Sequence, residues 1–580
     1  MKKINLTLNG IVIQGESKDT ILETAKKHNV RIPHLCHLKI DSIYTNDCAS
    51  CRICVVEVDG REGLYPSCST KIWEGMNVVT NSAEIMKIRK NVLELILANH
   101  PKDCLVCRKS GDCELQKLSN EMRLKEVRYE SELRGLKKDM SPAIIRDMDK
   151  CIMCRRCETM CNNVQSCNIL SGINRGSSAI VSTQFNKKLS ETYCTFCGQC
   201  VAVCPVGALT EHDYTWDVIN SIANKDKIVV AQIAPAVRVA LGEEFNIKIG
   251  TNIEKKIVAA LKKLGFDYVF DTSWAADLTI MEEASELKNR LVKHFQGDKN
   301  VKLPLLTSCC PAWMNFLEDN FPTLTEVPST AKSPMQMCSS VIKNIWGPEK
   351  ALDKKNIVVV SIMPCLAKKY ESQREEFIYD NIPDTDYSIT TRELAHMIKS
   401  SDIDFENLEE EEFDLPMGSY SGAGVIFGRT GGVIEAATRT AYKFITGNEL
   451  ENLEFTSMEG VKGTRISEID IAGNKIRIGI THGLGEARKL LEKIESGEEF
   501  LHAIEIMACK GGCVGGGGQP YTHGNYEIIK SRMKALSNID KGLKMRKSHE
   551  NPDVLAIYDK YLGAPLSDKA KELLHSHKKR

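Results

Sequence analysis

The chain has 580 residues, with 77 basic side chains against 77 acidic ones. That length exceeds the roughly 250–300 residues at which a single core stops growing, so several domains are required. A formal net charge of zero argues against a nucleic-acid binder, which would carry a clustered basic surplus.

After Met1-Lys2-Lys3 the chain reads INLTLNGIVIQ, an alternating pattern and not the apolar core of a secretion signal. The alternation broken at Asn9-Gly10 predicts a β-hairpin. Thr20 to Asn29 reads as a short amphipathic helix, and Ala83 to about Ala98 carries apolar residues at helical spacing. Residues 121–141 are charged and free of cysteine, as expected of a surface connection. From about residue 213 strand-like runs (KIVVAQIAP, NIVVVSIMP) alternate with helical stretches and glycine-rich turns, the pattern of an α/β portion. Gly422, Gly424 and Gly428 miss a dinucleotide fingerprint by one residue and read as tight turns. Gly515–Gly518 lacks the Lys-Ser/Thr of a phosphate loop. No run of 18 apolar residues exists, so no membrane span is expected.

The abnormal number is 23 cysteines, 17 of them between Cys36 and Cys204. In a chain this long without a secretion signal they point to metal in a reducing, cytoplasmic setting, not to disulfides. Cys194, Cys197, Cys200, Cys204 and Pro205 form the C-x2-C-x2-C-x3-C-P ligand run of two-cluster bacterial ferredoxins, and Cys151, Cys154, Cys157 and Cys161 repeat the spacing. The fourth Cys of each run serves the other cluster, giving one [4Fe–4S] set of Cys151, Cys154, Cys157 and Cys204 and another of Cys194, Cys197, Cys200 and Cys161. Paired zinc ribbons need only four thiolates each at CxxC…CxxC spacing, which two triple runs overshoot.

Cys36, Cys51, Cys54 and Cys68, around the strand-like CRICVVEV, resemble the plant-type β-grasp [2Fe–2S] module that opens the large subunit of respiratory NADH dehydrogenase. Cys48 is then spare. Two residues separate it from Cys51, as two separate Cys51 from Cys54, so the sequence leaves the other register open. His100, Cys104, Cys107 and Cys113 in HPKDCLVCRKSGDCELQ resemble the one-His, three-Cys [4Fe–4S] site beside that same module.

Three further segments, TSCCPAW (307–313), MPCLAKKYE (363–371) and EIMACKGGCVGGGGQP (505–520), resemble the signatures of [FeFe]-hydrogenases, in family order and with long gaps between them. The resemblance extends over nearly the whole chain and implies a multidomain α+β and α/β fold. It divides into a plant-type [2Fe–2S] domain (1–80), a His/Cys3 [4Fe–4S] domain (81–125), a linker with a two-cluster ferredoxin domain (126–212) and an H-cluster domain (213–580). The implied cofactors are one [2Fe–2S] centre, three accessory [4Fe–4S] centres and the H-cluster, a [4Fe–4S] cubane linked to a di-iron unit with CO, cyanide and azadithiolate.

Carried over residue by residue, the resemblance makes Cys310, Cys365, Cys509 and Cys513 the H-cluster ligands, with Cys513 as the bridge. Lys368 would face a cyanide, Pro235 and Ala236 would offer backbone to the other, and Ser333, Met363 and Met507 would pack around the cluster. Cys309 would relay protons to the cluster, fed by Glu283, Glu286, Arg290 and Ser329. Glu286 and Arg290, at i and i+4, share a helix face. The implied activity is reversible reduction of protons to H2, of the ferredoxin hydrogenase type (EC 1.12.7.2), with soluble ferredoxin as partner and dedicated maturation proteins. Alternatives are the catalytic subunit of an NAD(P)- or ferredoxin-linked, bifurcating complex (EC 1.12.1.-) with a flavoprotein subunit, or a non-catalytic H2 or redox sensor. Neither nucleic acid nor membrane is an expected partner. Cys167 and Cys338 are left as buried thiols.

Overall fold

In a computed structural model the described residues are 2–40, 44–453 and 463–576. They pack as two compact units, one of residues 1–163, 168–192 and 203–210, the other of 164–167, 193–202 and 211–580.

The first unit opens on the expected hairpin, β1 (Lys3–Leu8) and β2 (Ile11–Glu16), with Leu8 paired to Ile11. Asn9 and Gly10 both take positive φ, which is what a two-residue primed turn demands. Helix α1 (Ile21–Lys27) begins at a capping box made by Thr20 and Glu23. Strands β3 (Val55–Val58), β4 (Tyr65–Pro66) and β5 (Met76–Val79) complete a sheet of order β2-β1-β5-β3-β4. Only β1 and β5 run parallel, the arrangement of a β-grasp. Ile4, Leu6 and Leu8 face Val56, Met76, Val78 and the apolar side of α1, so the alternation in the sequence becomes one buried sheet face. Helix α2 (Ala83–Ala98) is capped by Ser82. Residues 124–138 contain neither helix nor strand.

The second unit contains eight strands that build two sheets: β6 (Ile228–Ile233), β7 (Tyr268–Asp271), β8 (Leu305–Leu306), β9 (Ile357–Met363), β10 (Tyr387–Thr390), β11 (Thr464–Ile471), β12 (Asn474–His482) and β13 (Ala503–Met507). One sheet has the order β7-β6-β9-β10 and is wholly parallel. The other is β8-β13-β12-β11, parallel except for the β11–β12 hairpin. Every residue of β9 is buried, as continuous apolar runs covered on both faces should be. Helix α3 (Thr272–Phe295), capped by Asp271, is buried along its first half and carries Glu282, Glu283 and Glu286. Pro311 and Pro334 start α4 (Pro311–Asn320) and α5 (Pro334–Val341), where a missing N–H costs nothing. Of the three glycines read as tight turns, Gly422 and Gly424 lie in a short helix, Gly422–Ile426, and Gly428 in the turn that follows it. A Cβ on Gly424 would stand 2.3 Å from the Ser273 carbonyl oxygen, so close packing explains that glycine. Among the described residues no helix is long and apolar enough to cross a membrane.

Candidate active site

The predicted site residues converge at the carboxyl ends of two pairs of parallel strands, one pair from each sheet. Strand β6 runs into Ala234-Pro235-Ala236, β8 into Cys309-Cys310, β9 into Pro364-Cys365 and β13 into Ala508-Cys509. Ligand sites form beyond the carboxyl ends of parallel strands because the loops there diverge. Here they line a cavity of about 80 Å³. It is lined by Cys310, Cys365, Cys509 and Cys513, by Cys309 and Lys368, and by Pro235, Ala236, Met363 and Met507. Of the Pro235-Ala236 pair only Ala236 has an N–H to offer. Thr272 and Phe427 line the cavity without any local sequence signal, and Met335, beside Ser333 and Pro334, lines it as well. Ser333 departs from expectation: it lines a neighbouring pocket and donates to Glu371 Oε2 at 3.1 Å.

The donor set suits a cationic iron cluster. Burial raises the pKa of Cys310, Cys365, Cys509 and Cys513, and neighbouring thiols add to the rise at Cys365, Cys509 and Cys513. Four such thiols become thiolates together only when metal charge compensates them. The loop that brings Cys513 round needs glycine: Gly512 has φ +92°, and a Cβ there would fall 2.6 Å from the Thr430 nitrogen.

Among the described residues, Lys368 is the one cationic group on the cavity wall. It is held by Glu371 Oε2 at 2.7 Å and donates to the Cys309 carbonyl at 3.2 Å. Glu371 is the last letter of MPCLAKKYE, yet sequence reasoning gave it no role. Burial, then Glu283, raises the Cys309 pKa well above that of an ordinary thiol. Burial and the Glu286 carboxylate push Glu283 up to about 8, so it holds a proton at neutral pH. Its Oε1 accepts from the Ser308 backbone at 3.5 Å, while Glu283 Oε2 and Glu286 Oε2 have no protein partner. Ser329 is buried and accepts from Ala331 N. Arg290 shares the helix face of Glu286, but its guanidinium donates to the Val327 and Lys302 carbonyls, at 2.7 and 3.2 Å.

In this same unit are Cys194, Cys197 and Cys200, with Cys197 beside the cavity. Gln199 donates to Cys509 Sγ at 3.2 Å and to the Gly515 carbonyl at 3.0 Å, and Cys197 lies near enough to raise the Cys509 pKa. Gly198 packs against Gly517 and Leu366. Gln199 was unmarked in the sequence because only the cysteines of CGQC carry a spacing signal.

The first unit contains the remaining predicted ligands, Cys161 among them. Cys36, Cys51, Cys54 and Cys68 are buried, and hydrogen bonds link the Cys36 thiol to Cys48, Cys51 and Cys68 and the Cys54 thiol to Cys68. Cys48 is exposed and its thiol donates to the Cys154 carbonyl at 3.2 Å. Asn46 donates to the carbonyls of both Cys36 and Cys154, at 2.6 and 2.9 Å, tying this group to the Cys151/Cys154/Cys157/Cys204 group. Cys204 adds to the charge felt by Cys154 and by Cys113. Burial lowers the pKa of His100 to about 4, and its Nδ1 has no partner, the state of an imidazole available as a metal ligand. Cys104 is exposed and Cys107 half-buried. Cys167 is half-buried, and Cys338 lies fully buried in an apolar core.

Comparison with known proteins bears on all of these regions. Residues 227–517 match the iron only hydrogenase large subunit, C-terminal domain, and residues 526–578 the iron hydrogenase small subunit. Residues 1–83 match a 2Fe-2S iron-sulfur cluster binding domain. Residues 89–128 match the NADH-ubiquinone oxidoreductase-G iron-sulfur binding region, and 141–210 the ferredoxin-like domain of NADH-quinone oxidoreductase subunit 3. The chain is 52% identical to the NADP-reducing hydrogenase subunit HndD of Solidesulfovibrio fructosivorans over 100% of this chain and 99% of that protein. It is 37% identical to iron hydrogenase 1 of Clostridium pasteurianum over 98% of this chain and 99% of that protein. The apo [FeFe]-hydrogenase HydA1 structure from Chlamydomonas reinhardtii superposes with a TM-score of 0.57 at 39% identity, covering 63% of this chain and 98% of that one. With its signature cysteines gathered at one cavity and similarity along its full length, the chain belongs to the [FeFe]-hydrogenase family.

Proposed function

We propose that this chain is the catalytic, H2-forming and H2-oxidising subunit of a multisubunit NADP-linked hydrogenase. The observation that carries the catalytic reading is the single cavity lined by Cys310, Cys365, Cys509 and Cys513, with Cys309 and Lys368 in its wall. Those four cysteines are the proposed ligands of the H-cluster, which when bound supplies the iron chemistry that interconverts protons, electrons and H2. Lys368, fixed by Glu371, presents a charge suited to an anionic cofactor ligand. Cys309 passes protons between Glu283 and the cavity, and Glu286 with Ser329 extends the route outward. Arg290 fixes the loop around Val327 and so positions this route.

Three accessory [4Fe–4S] centres and one [2Fe–2S] centre belong to the same proposal. The [2Fe–2S] ligands are Cys36, Cys51, Cys54 and Cys68, supported by their burial against the exposed Cys48. His100, Cys104, Cys107 and Cys113 hold one [4Fe–4S] centre, and Cys151, Cys154, Cys157 and Cys204 another. Cys194, Cys197 and Cys200 serve the centre beside the cavity. The electron partner is an NADP-linked flavoprotein subunit, supported by the likeness to HndD and by the absence of a nucleotide fingerprint in this sequence. Such thiolate chemistry suits the cytoplasm. A soluble ferredoxin as donor is the second reading, favoured by the exposure of Cys104 and the neighbouring Leu105.

Purification of the native enzyme, followed by H2 turnover with NADPH or reduced ferredoxin, tests the partner. The proposal expects NADPH-linked turnover only while partner subunits remain attached. NADPH-linked turnover by the isolated chain would overturn it, as would a native enzyme that consists of this chain alone.

A further inference from the structure

The proton route proposed above ends at Glu286, and the structure places a second acid–base group against it. The C-terminal helix α6 (Asp568–Leu574) is followed by His575. The tail there is pinned to the loop after Pro328: Lys332 N donates to the Leu574 carbonyl and Ser576 N to the Thr330 carbonyl. His575 is only 4% exposed, and each ring nitrogen has a partner. Nδ1 lies 2.7 Å from Thr330 Oγ1, and Thr330 Oγ1 donates to Glu286 Oε1 at 2.8 Å. Nε2 lies 3.0 Å from Oε2 of Glu282, a fully buried carboxylate that also accepts from the Tyr558 hydroxyl and the Leu566 backbone. The charged and titratable groups facing the imidazole are therefore Glu282 and Glu286 from α3, with Tyr558 behind Glu282 and Arg290 one turn beyond Glu286.

The order carboxylate, imidazole, hydroxyl is the one in which a buried acid fixes the ring's tautomer and the far ring nitrogen exchanges a proton with a hydroxyl. Here the hydroxyl leads to Glu286. Thr330 is exposed and the Glu286 side chain is 12% exposed, so this is where the route meets water.

We propose that His575, held by Glu282, loads protons onto Glu286 through the Thr330 hydroxyl. The inference rests on the proton route read above. In each transfer the imidazolium gives its Nδ1 proton to Thr330 Oγ1 while Thr330 gives its own to Glu286 Oε1. The ring is left neutral, keeping its Nε2 proton and donating it to Glu282 Oε2, and water reprotonates Nδ1. No electron moves and no bond other than these O–H and N–H bonds changes. His575 acts through Glu286 and never touches the reacting atoms, so it is a positioning and loading residue. The region matching the small-subunit family would thereby supply a working group, and not only a structural strap.

The test compares matured His575→Gln, His575→Ala and Glu283→Gln enzymes in H2 evolution from reduced viologen between pH 6 and pH 8, with cofactor infrared bands as the check on folding. A glutamine keeps two polar contacts but cannot carry a proton. We expect the His575→Gln turnover to fall about tenfold at pH 8, less than the 10²–10⁴ of a group acting on the reacting atoms, and to approach wild type at pH 6. Added imidazole should restore the His575→Ala enzyme. Wild-type turnover by His575→Gln across this range would overturn the inference, and so would an equal loss at every pH with no imidazole rescue. Full turnover by Glu283→Gln would instead sink the underlying route, so the two failures are distinguishable.

Discussion

Replacing Glu283 by glutamine perturbs one buried proton and little else in shape. Burial and the Glu286 charge lift this carboxyl from 4.5 to about 8. That rise of about 3.5 pH units, at 1.36 kcal/mol per unit, is roughly 5 kcal/mol in favour of the neutral acid. Below pH 4.5 folded and unfolded chains both hold the proton, so this residue's contribution to stability is at its highest and no longer changes with pH. Between 4.5 and about 8 only the folded chain holds it, so this residue's contribution to stability falls by about 1.4 kcal/mol per pH unit as pH rises. The Glu283→Gln variant should lose that slope, because an amide does not titrate. Infrared titration reads the proton directly. A protonated-carboxyl band absent from the variant should be present at pH 7 in the parent enzyme and disappear with a midpoint near 8. H2 turnover in the variant should drop by about 10²–10⁴ at every pH, the range for a lost acid–base group. A band already gone at pH 6, or a variant at parental turnover, would refute the reasoning.

Other substitutions probe the remaining parts. Cys309→Ser should abolish most turnover while leaving iron content and cofactor infrared bands in place; loss of the bands would make Cys309 a structural residue. Lys368→Met strands the buried Glu371 carboxylate, a defect of about 3–5 kcal/mol, and should lower the fraction of matured protein that carries cofactor bands. Gln199→Leu removes an N–H donor to the Cys509 sulfur, so the potential of the cubane should shift downward in an EPR redox titration; an unchanged potential would contradict the assigned contact.

Much of this was legible before any coordinates because cluster ligation imposes spacing. The paired CxxCxxCxxxC runs and the three cysteine signatures name their ligands within a few residues, and Asn9-Gly10 names its hairpin. What the sequence withheld depends on contacts between distant segments. Glu371 matters because Lys368 needs a counter-charge inside the protein, and Gln199 because its amide reaches Cys509, 310 positions away. His575 reads as an ordinary residue near the end of a charged helix until its tail pairs with residues 330–332. Gly422 and Gly424 differ from the tight turns that their spacing suggests because close packing also selects glycine, and spacing does not distinguish the two; Gly428 does lie in a turn. Ser333 was placed one pocket away from its location for a similar reason: its neighbours Pro334 and Met335 reach the cavity, but at the start of α5 its hydroxyl turns to Glu371.

The central claim is that Cys310, Cys365, Cys509 and Cys513 hold an H-cluster in the cavity at the strand ends. Infrared spectroscopy of the anaerobically matured chain tests it most directly. The account predicts CO and cyanide stretching bands in the parent protein and their loss in Cys513→Ala, with the accessory iron–sulfur signals retained. Matured protein without those bands, or a Cys513→Ala variant that keeps them unchanged, would contradict it.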